Sequence, residues 1–153
     1  RPHLESLFGD VAALVGKAHA LIDALPSVPP KVFAHGDIFP GNVLMDDDLT
    51  VTGMVDFGTW TLVAAPRYDV TSAVMFAEIA DGCTPADNAW LRGLLLAHAG
   101  EAALPELDAY RAYYAFTLFD PEDDTGLYPR LRPWSIAALT AVAEGRAGAW
   151  LSA

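Results

Sequence analysis

"FAHGDIFPGNVLMDDDLTVTGMVDFG", residues 33–58, sets an aspartate, an asparagine and a second aspartate around two short apolar runs. Asn42 to Met45 and Val51 to Asp56 form those runs, and the "DDDLT" between them supplies turn-forming acids. The pattern predicts a β-hairpin with a solvent-exposed acidic tip. Asp37 and Asn42 bracket the loop before the hairpin, with Gly36 and Gly41 free to turn the backbone sharply, and Asp56 closes the hairpin. Oxygen ligands held by a tight turn and a strand end are what a magnesium-assisted phosphoryl transfer requires.

Outward from this stretch the chain reads as helical. Leu4, Leu7, Phe8, Val11, Leu14, Val15, Ala18, Leu21, Ile22 and Leu25 recur at three- and four-residue steps, which predicts one amphipathic helix from His3 to Leu25. "PSVPP", Pro26 to Pro30, stops it and sets "KVFAH" extended. Beyond Gly58 the pattern predicts helices at Tyr68 to Ala80, Pro85 to Ala99, Leu104 to Phe119 and Pro133 to about Trp150. No internal repeat or low-complexity tract interrupts them. The architecture expected is a two-layer α+β domain, mainly α, with helices around one small hairpin.

Composition narrows the functional classes. With 53% hydrophobic and 19% charged residues over 153 positions, the chain can bury a core and fold as one domain. Twenty acids against nine lysines and arginines give a net charge of −11, which argues against nucleic acid as a partner. Cys83 is the only cysteine, so no internal disulfide forms, and it reads as a small buried residue. No apolar run reaches the roughly 18 residues of a membrane span, and "RPHLESLFGD" is no signal peptide, so the expectation is a cytoplasmic protein without membrane contact.

Other chemistries lack their residues. His3, His19, His35 and His98 form no H-E-x-x-H, and G-x-S-x-G does not occur. His19 and His98 read as ordinary helix residues. Tyr110, Tyr113, Tyr114, Phe116, Trp90, Trp134 and Trp150 could line an acceptor pocket, but their helical spacing favours core packing. "DPEDD", Asp120 to Asp124, could attract a polycation, with a solvated loop the commoner reading.

Asp37 and Asn42 stand at the spacing of the H-x-D-x-x-x-x-N loop of kinases, and "DFG" follows literally at Asp56, Phe57 and Gly58. In such a loop Asp37 takes the proton of an attacking hydroxyl, while Asn42 and Asp56 hold Mg²⁺ against the nucleotide phosphates. The bland alternative is a turn capped by Asp and Asn before an acidic strand end. His35 could act in the chemistry, but bracing the loop by hydrogen bonds is the commoner role for such a histidine.

"HGDIFPGN" followed by "VDFG" resembles the aminoglycoside phosphotransferase and choline kinase-like superfamily, and "APRYDV", Ala65 to Val70, is similar to the segment that follows its metal aspartate. The resemblance covers about residues 32–76 by motif and the helical remainder more loosely. It implies the carboxy-terminal lobe of a protein kinase-like fold, occupying residues 1–153, with the hairpin carrying the catalytic loop. It further implies Asp37 as catalytic base with His35 beside it, and Asn42 and Asp56 as ligands of Mg²⁺ and of ATP or GTP. Asp69, opening a helix, and Gly36 and Gly58 are supports. Phe39 replaces a frequent histidine of the family, a change expected to affect packing more than chemistry. The acceptor implied is a small-molecule hydroxyl, with an antibiotic, a cationic aminoglycoside or a macrolide, ahead of homoserine, choline or a sugar. A protein kinase fits less well, because Gly58 and Pro66 leave no room for an activation loop and no A-P-E follows.

A complete kinase of this kind also carries a β-rich nucleotide lobe with a phosphate-binding lysine. Lys17 and Lys31 are the only lysines, no G-x-G-x-x-G occurs, and the chain starts with Arg1. The expectation is the carboxy-terminal lobe of a larger enzyme, inactive or nearly so alone. The rival expectation is a non-catalytic, kinase-like module that associates, with itself or another protein, through the apolar face left by the missing lobe. A mean hydropathy of +0.27 fits that rival.

Overall fold

The computed structural model describes residues 2–25, 30–119 and 129–146. The expectations for Pro26 to Pro29, for Asp120 to Asp124 and for Trp150 lie outside the described residues.

The amino-terminal periodicity forms two helices where one was expected, α1 (Pro2–Phe8) and α2 (Val11–Asp23). Gly9 has φ 67°, a left-handed conformation that ends α1, and its N–H reaches back to the Glu5 carbonyl at 2.9 Å. The Asp10 carboxylate then caps α2, accepting from the Ala13 N–H at 2.9 Å. Gly-Asp therefore breaks a hydrophobic stripe that continues unbroken in the sequence.

"KVFAH" is extended as expected and supplies β1 (Val32–Ala34). The hairpin forms from β2 (Val43–Met45) and β3 (Val51–Met54), antiparallel with a bulge at Leu44/Met45. Asn42 stands outside β2, at the end of a 3-10 turn, Pro40–Asn42, and Asp56 stands beyond β3. The acidic tip is exposed, tied down by the Asp46 carboxylate, which accepts from the Asp48 and Thr50 N–H groups.

Residues 62–64, for which the sequence pattern predicts no element, form one. Leu62–Ala64 is a strand, β4, which pairs antiparallel with β1, Phe33 opposite Val63. A three-residue strand whose partner lies thirty positions earlier leaves no local turn signal to read. The fold is thus α+β and mainly α, with two two-stranded sheets where one hairpin was expected.

Four further helices follow: α3 (Arg67–Ile79), α4 (Pro85–Ala99), α5 (Leu104–Thr117) and α6 (Leu131–Ala143). A reciprocal capping box between Thr84 and Asp87 starts α4, and Gly100 at φ 76° ends it. Leu14 and Ala18 of α2, Met75 and Phe76 of α3, Tyr114 of α5 and Leu139 of α6 meet in the main core. Beside that core, Glu78 is a half-buried acid on α3. It accepts from the Trp134 indole N–H at 2.5 Å and lies 3.7 Å from Arg92 and 3.9 Å from Arg111. One carboxylate thereby ties α3 to α4, α5 and α6. Cys83 is half-buried, and His19 and His98 are exposed on α2 and α4.

Among the described residues no helix is long and apolar enough to cross a membrane.

Candidate active site

The Ala34–Asn42 loop leaves β1 and is held on several sides before it enters the hairpin. From α3, the Asp69 carboxylate accepts two backbone hydrogen bonds, from His35 N–H at 2.9 Å and from Gly36 N–H at 2.8 Å. Hydrogen bonds to a charged acceptor contribute about 1.5–3 kcal/mol each, and the first turn of a helix is a favourable place for an acid. Tyr114, wholly buried on α5, donates its hydroxyl to the Gly36 carbonyl at 2.7 Å. The Thr61 hydroxyl reaches the His35 carbonyl at 3.3 Å. The backbone N–H and C=O of His35 and of Gly36, the two residues before Asp37, are therefore all satisfied by groups distant in sequence.

Gly36 is the position where only glycine fits. Its φ is +81°, and a Cβ there would meet the Trp60 carbonyl oxygen at 2.1 Å. Gly41 and Gly58 do not share that role, because neither has a positive φ and a Cβ would find ordinary contact distances at both. The left-handed residue of the Asp56-Phe57-Gly58 segment is Asp56 itself, at φ 65°.

His35 is 3% exposed, and both ring nitrogens are engaged. Its Nδ1 accepts from the Asp37 N–H at 3.2 Å, which leaves Nε2–H to donate to the Val55 carbonyl at 2.8 Å. The ring thus ties the Asp37 backbone to the strand end next to Asp56. Phe57 covers it, with ring centroids 4.4 Å apart. These contacts give His35 a bracing position with no nitrogen left over for a substrate.

Asn42 donates from Nδ2 to the Asp37 carbonyl at 3.0 Å and to the Asp37 carboxylate at 3.2 Å. Its own carbonyl receives the Val55 N–H at 3.0 Å. Asp37, Asn42 and Asp56 share one cavity of about 250 Å³. Burial raises the Asp37 carboxyl above its ordinary value of 3.8, and the negative charge of Asp56 adds to the rise, against the lowering effects of the Asn42 hydrogen bond and of His35.

Phe39, Trp60 and Phe76 form aromatic walls of that cavity, with Ile79, Leu118 and Leu131 as aliphatic ones. The aromatics weighed in the sequence as pocket candidates are elsewhere: Tyr114 and Trp134 are buried, and Trp90 and Tyr113 are exposed. Asp69, Phe76 and Ile79 stand seven and three positions apart on α3, so one helix face both clamps the loop and lines the cavity. Thr61 and Trp60 escaped the sequence reading, as did the bond from Tyr114 to Gly36, for no local pattern marks a residue that meets the loop only after folding.

Among the described residues no group of three or more His, Cys, Asp or Glu side chains could hold a metal ion. Asn42 and Asp56 nonetheless suit a magnesium ion. With Nδ2 spent on Asp37, the amide of Asn42 keeps Oδ1 for a cation, and the Asp56 carboxylate is exposed. Magnesium takes few protein oxygens and fills the remaining positions with water and phosphate.

The model of the phosphotransferase enzyme family matches residues 1–116 of this chain. Compared with curated proteins and with solved structures, the chain matches none.

Proposed function

We propose, since this chain belongs to the phosphotransferase enzyme family, that it is the acceptor-side lobe of a magnesium-dependent small-molecule kinase, using ATP or GTP and acting on a hydroxyl group. The observation that carries this reading is the single cavity shared by Asp37, Asn42 and Asp56, with Asn42 hydrogen-bonded to Asp37.

Asp37 is the proton acceptor. The acceptor hydroxyl oxygen forms a bond to the γ-phosphorus, the bond from that phosphorus to the β–γ bridging oxygen breaks, and the hydroxyl proton passes to the Asp37 carboxylate. Asn42 Oδ1 and Asp56 would hold Mg²⁺, whose charge offsets that of the phosphates. His35 and Asp69 orient Asp37 through the backbone, and the cavity walls keep water from competing for the phosphoryl group. An antibiotic alcohol leads among acceptors, with metabolite alcohols next, in a cytoplasmic setting.

Calorimetric titration with ATP and Mg²⁺, beside an Asp56→Ala variant, tests the reading. Magnesium-dependent binding that the variant loses is expected; binding that survives unchanged in the variant overturns the assignment of Asp56, and none in the unaltered chain overturns nucleotide binding by this lobe. A second reading, a non-catalytic association module, draws on Phe33 and Val63, paired across β1 and β4 and 68% and 64% exposed. Concentration-dependent dimerisation without nucleotide binding would favour it.

A further inference from the structure

The polar lining of the cavity in front of Asp37 comes from Asp37, Asn42 and Asp56, and each has a part in the proposed transfer. Among the described residues every other lining residue is aromatic or aliphatic, and no carboxylate besides Asp37 and Asp56, and no cation, lines the space. A polycationic acceptor needs acids spread along its body, and ammonium groups set against Phe39, Phe76 or Leu131 would be desolvated without a partner. Sugar hydroxyls on those walls would be equally unpaired. Phe39 meets Phe76 edge to face at 6.0 Å, a corner built from two rings beside the aliphatic Ile79.

Size narrows the choice further. A cavity of about 250 Å³ is below the roughly 300–1,000 Å³ of sites for drug-sized ligands, so it suits one ring with a short arm. Leu118 and Leu131 both follow residue 116, where the family match ends, so part of this wall belongs to sequence that the family pattern does not cover.

We propose that the acceptor is an uncharged alcohol whose hydroxyl is carried by a compact apolar ring body, held by Phe39, Trp60 and Phe76 with its hydroxyl toward Asp37. This inference rests on the phosphotransferase reading and narrows the acceptor class of the same site, setting a compact uncharged alcohol ahead of a polycationic aminoglycoside or a macrolide. The transfer balances as above: the alcohol oxygen gains the phosphoryl group, Asp37 gains the proton, and the nucleoside diphosphate leaves.

Saturation-transfer NMR and calorimetry with 2-phenylethanol and with the dicationic 2-deoxystreptamine, each with ATP and Mg²⁺ present, test it. Phe39→Ser and Phe39→Leu supply the controls. The expected result is saturable binding of 2-phenylethanol, weakened about tenfold by Phe39→Ser and by no more than about threefold by Phe39→Leu, with 2-deoxystreptamine unbound. Preferential binding of 2-deoxystreptamine overturns the proposal. Binding of 2-phenylethanol that ignores both substitutions overturns it too. Magnesium-dependent ATP binding with no alcohol bound overturns the acceptor class and leaves the phosphotransferase reading standing. Alcohol bound in the absence of any ATP binding overturns the phosphotransferase reading and the acceptor role with it.

Discussion

The two sides of the candidate site are built differently. On the Asp37 side, backbone groups of His35 and Gly36 are bound by Asp69, Thr61 and Tyr114, and the His35 ring spans to Val55. On the Asp56 side, the hairpin leaves Met45 54%, Leu49 78% and Phe57 53% exposed, and Leu49 and Asp56 both take positive φ. In the proposed reading Asp37 must take a proton at one point, which needs a rigid backbone, and helices α3 and α5 supply it. In the same reading Asp56 meets a hydrated cation, which a looser edge permits, and its positive φ is strained backbone there. Substitutions on the first side should therefore act through stability, and on the second through ligand binding.

Gly36→Ala should break the first side outright. The left-handed φ and the clash with the Trp60 carbonyl together cost about 3 kcal/mol or more. Gly58→Ala, with open space and no positive φ, should change stability by less than about 0.5 kcal/mol. Chemical denaturation of both variants checks the contrast, and equal effects would dissolve it.

Asp56 offers the next largest effect. At φ 65°, Asp56→Gly removes backbone strain and should be about 1 kcal/mol more stable than Asp56→Ala. Both should lose magnesium-dependent nucleotide binding. Thermal unfolding paired with calorimetry separates strain from ligation, and equal stability of the two variants would remove strain from the account.

The smallest effect concerns Asp37 and pH. The raised carboxyl binds its proton more tightly in the folded chain than in the unfolded one. The stability this group contributes is therefore complete below its ordinary value of 3.8 and is lost as pH rises through the raised value. Asp37→Asn carries no such loss and keeps an oxygen for Asn42, so it should melt slightly higher than the parent at neutral pH. With solvent screening the gain is small, and it vanishes below the ordinary value. A gain that persists in acid would point to a cause other than charge.

Much of this was legible in the chain itself. Helix α4 starts and stops where Thr84, Pro85 and Gly100 say it should, because caps act within a few residues. The hairpin and the Asp37, Asn42 and Asp56 spacing were local as well. The split between α1 and α2 was also written locally, in Gly9 and Asp10, but the apolar periodicity ran across it and masked it.

What stayed hidden depends on contacts between distant positions. β4 exists through its pairing with β1, and Tyr114 reads as a core aromatic until α5 brings its hydroxyl to Gly36. The same holds for the cavity, whose walls come from the loop, the residues before β4, α3, the end of α5 and α6. Sequence alone determined which oxygen-bearing residues stand close together, because a turn and a hairpin are short-range structures. Only the tertiary structure decided how tightly each is held and what faces it, because burial and long-range hydrogen bonds exist only once the helices have packed.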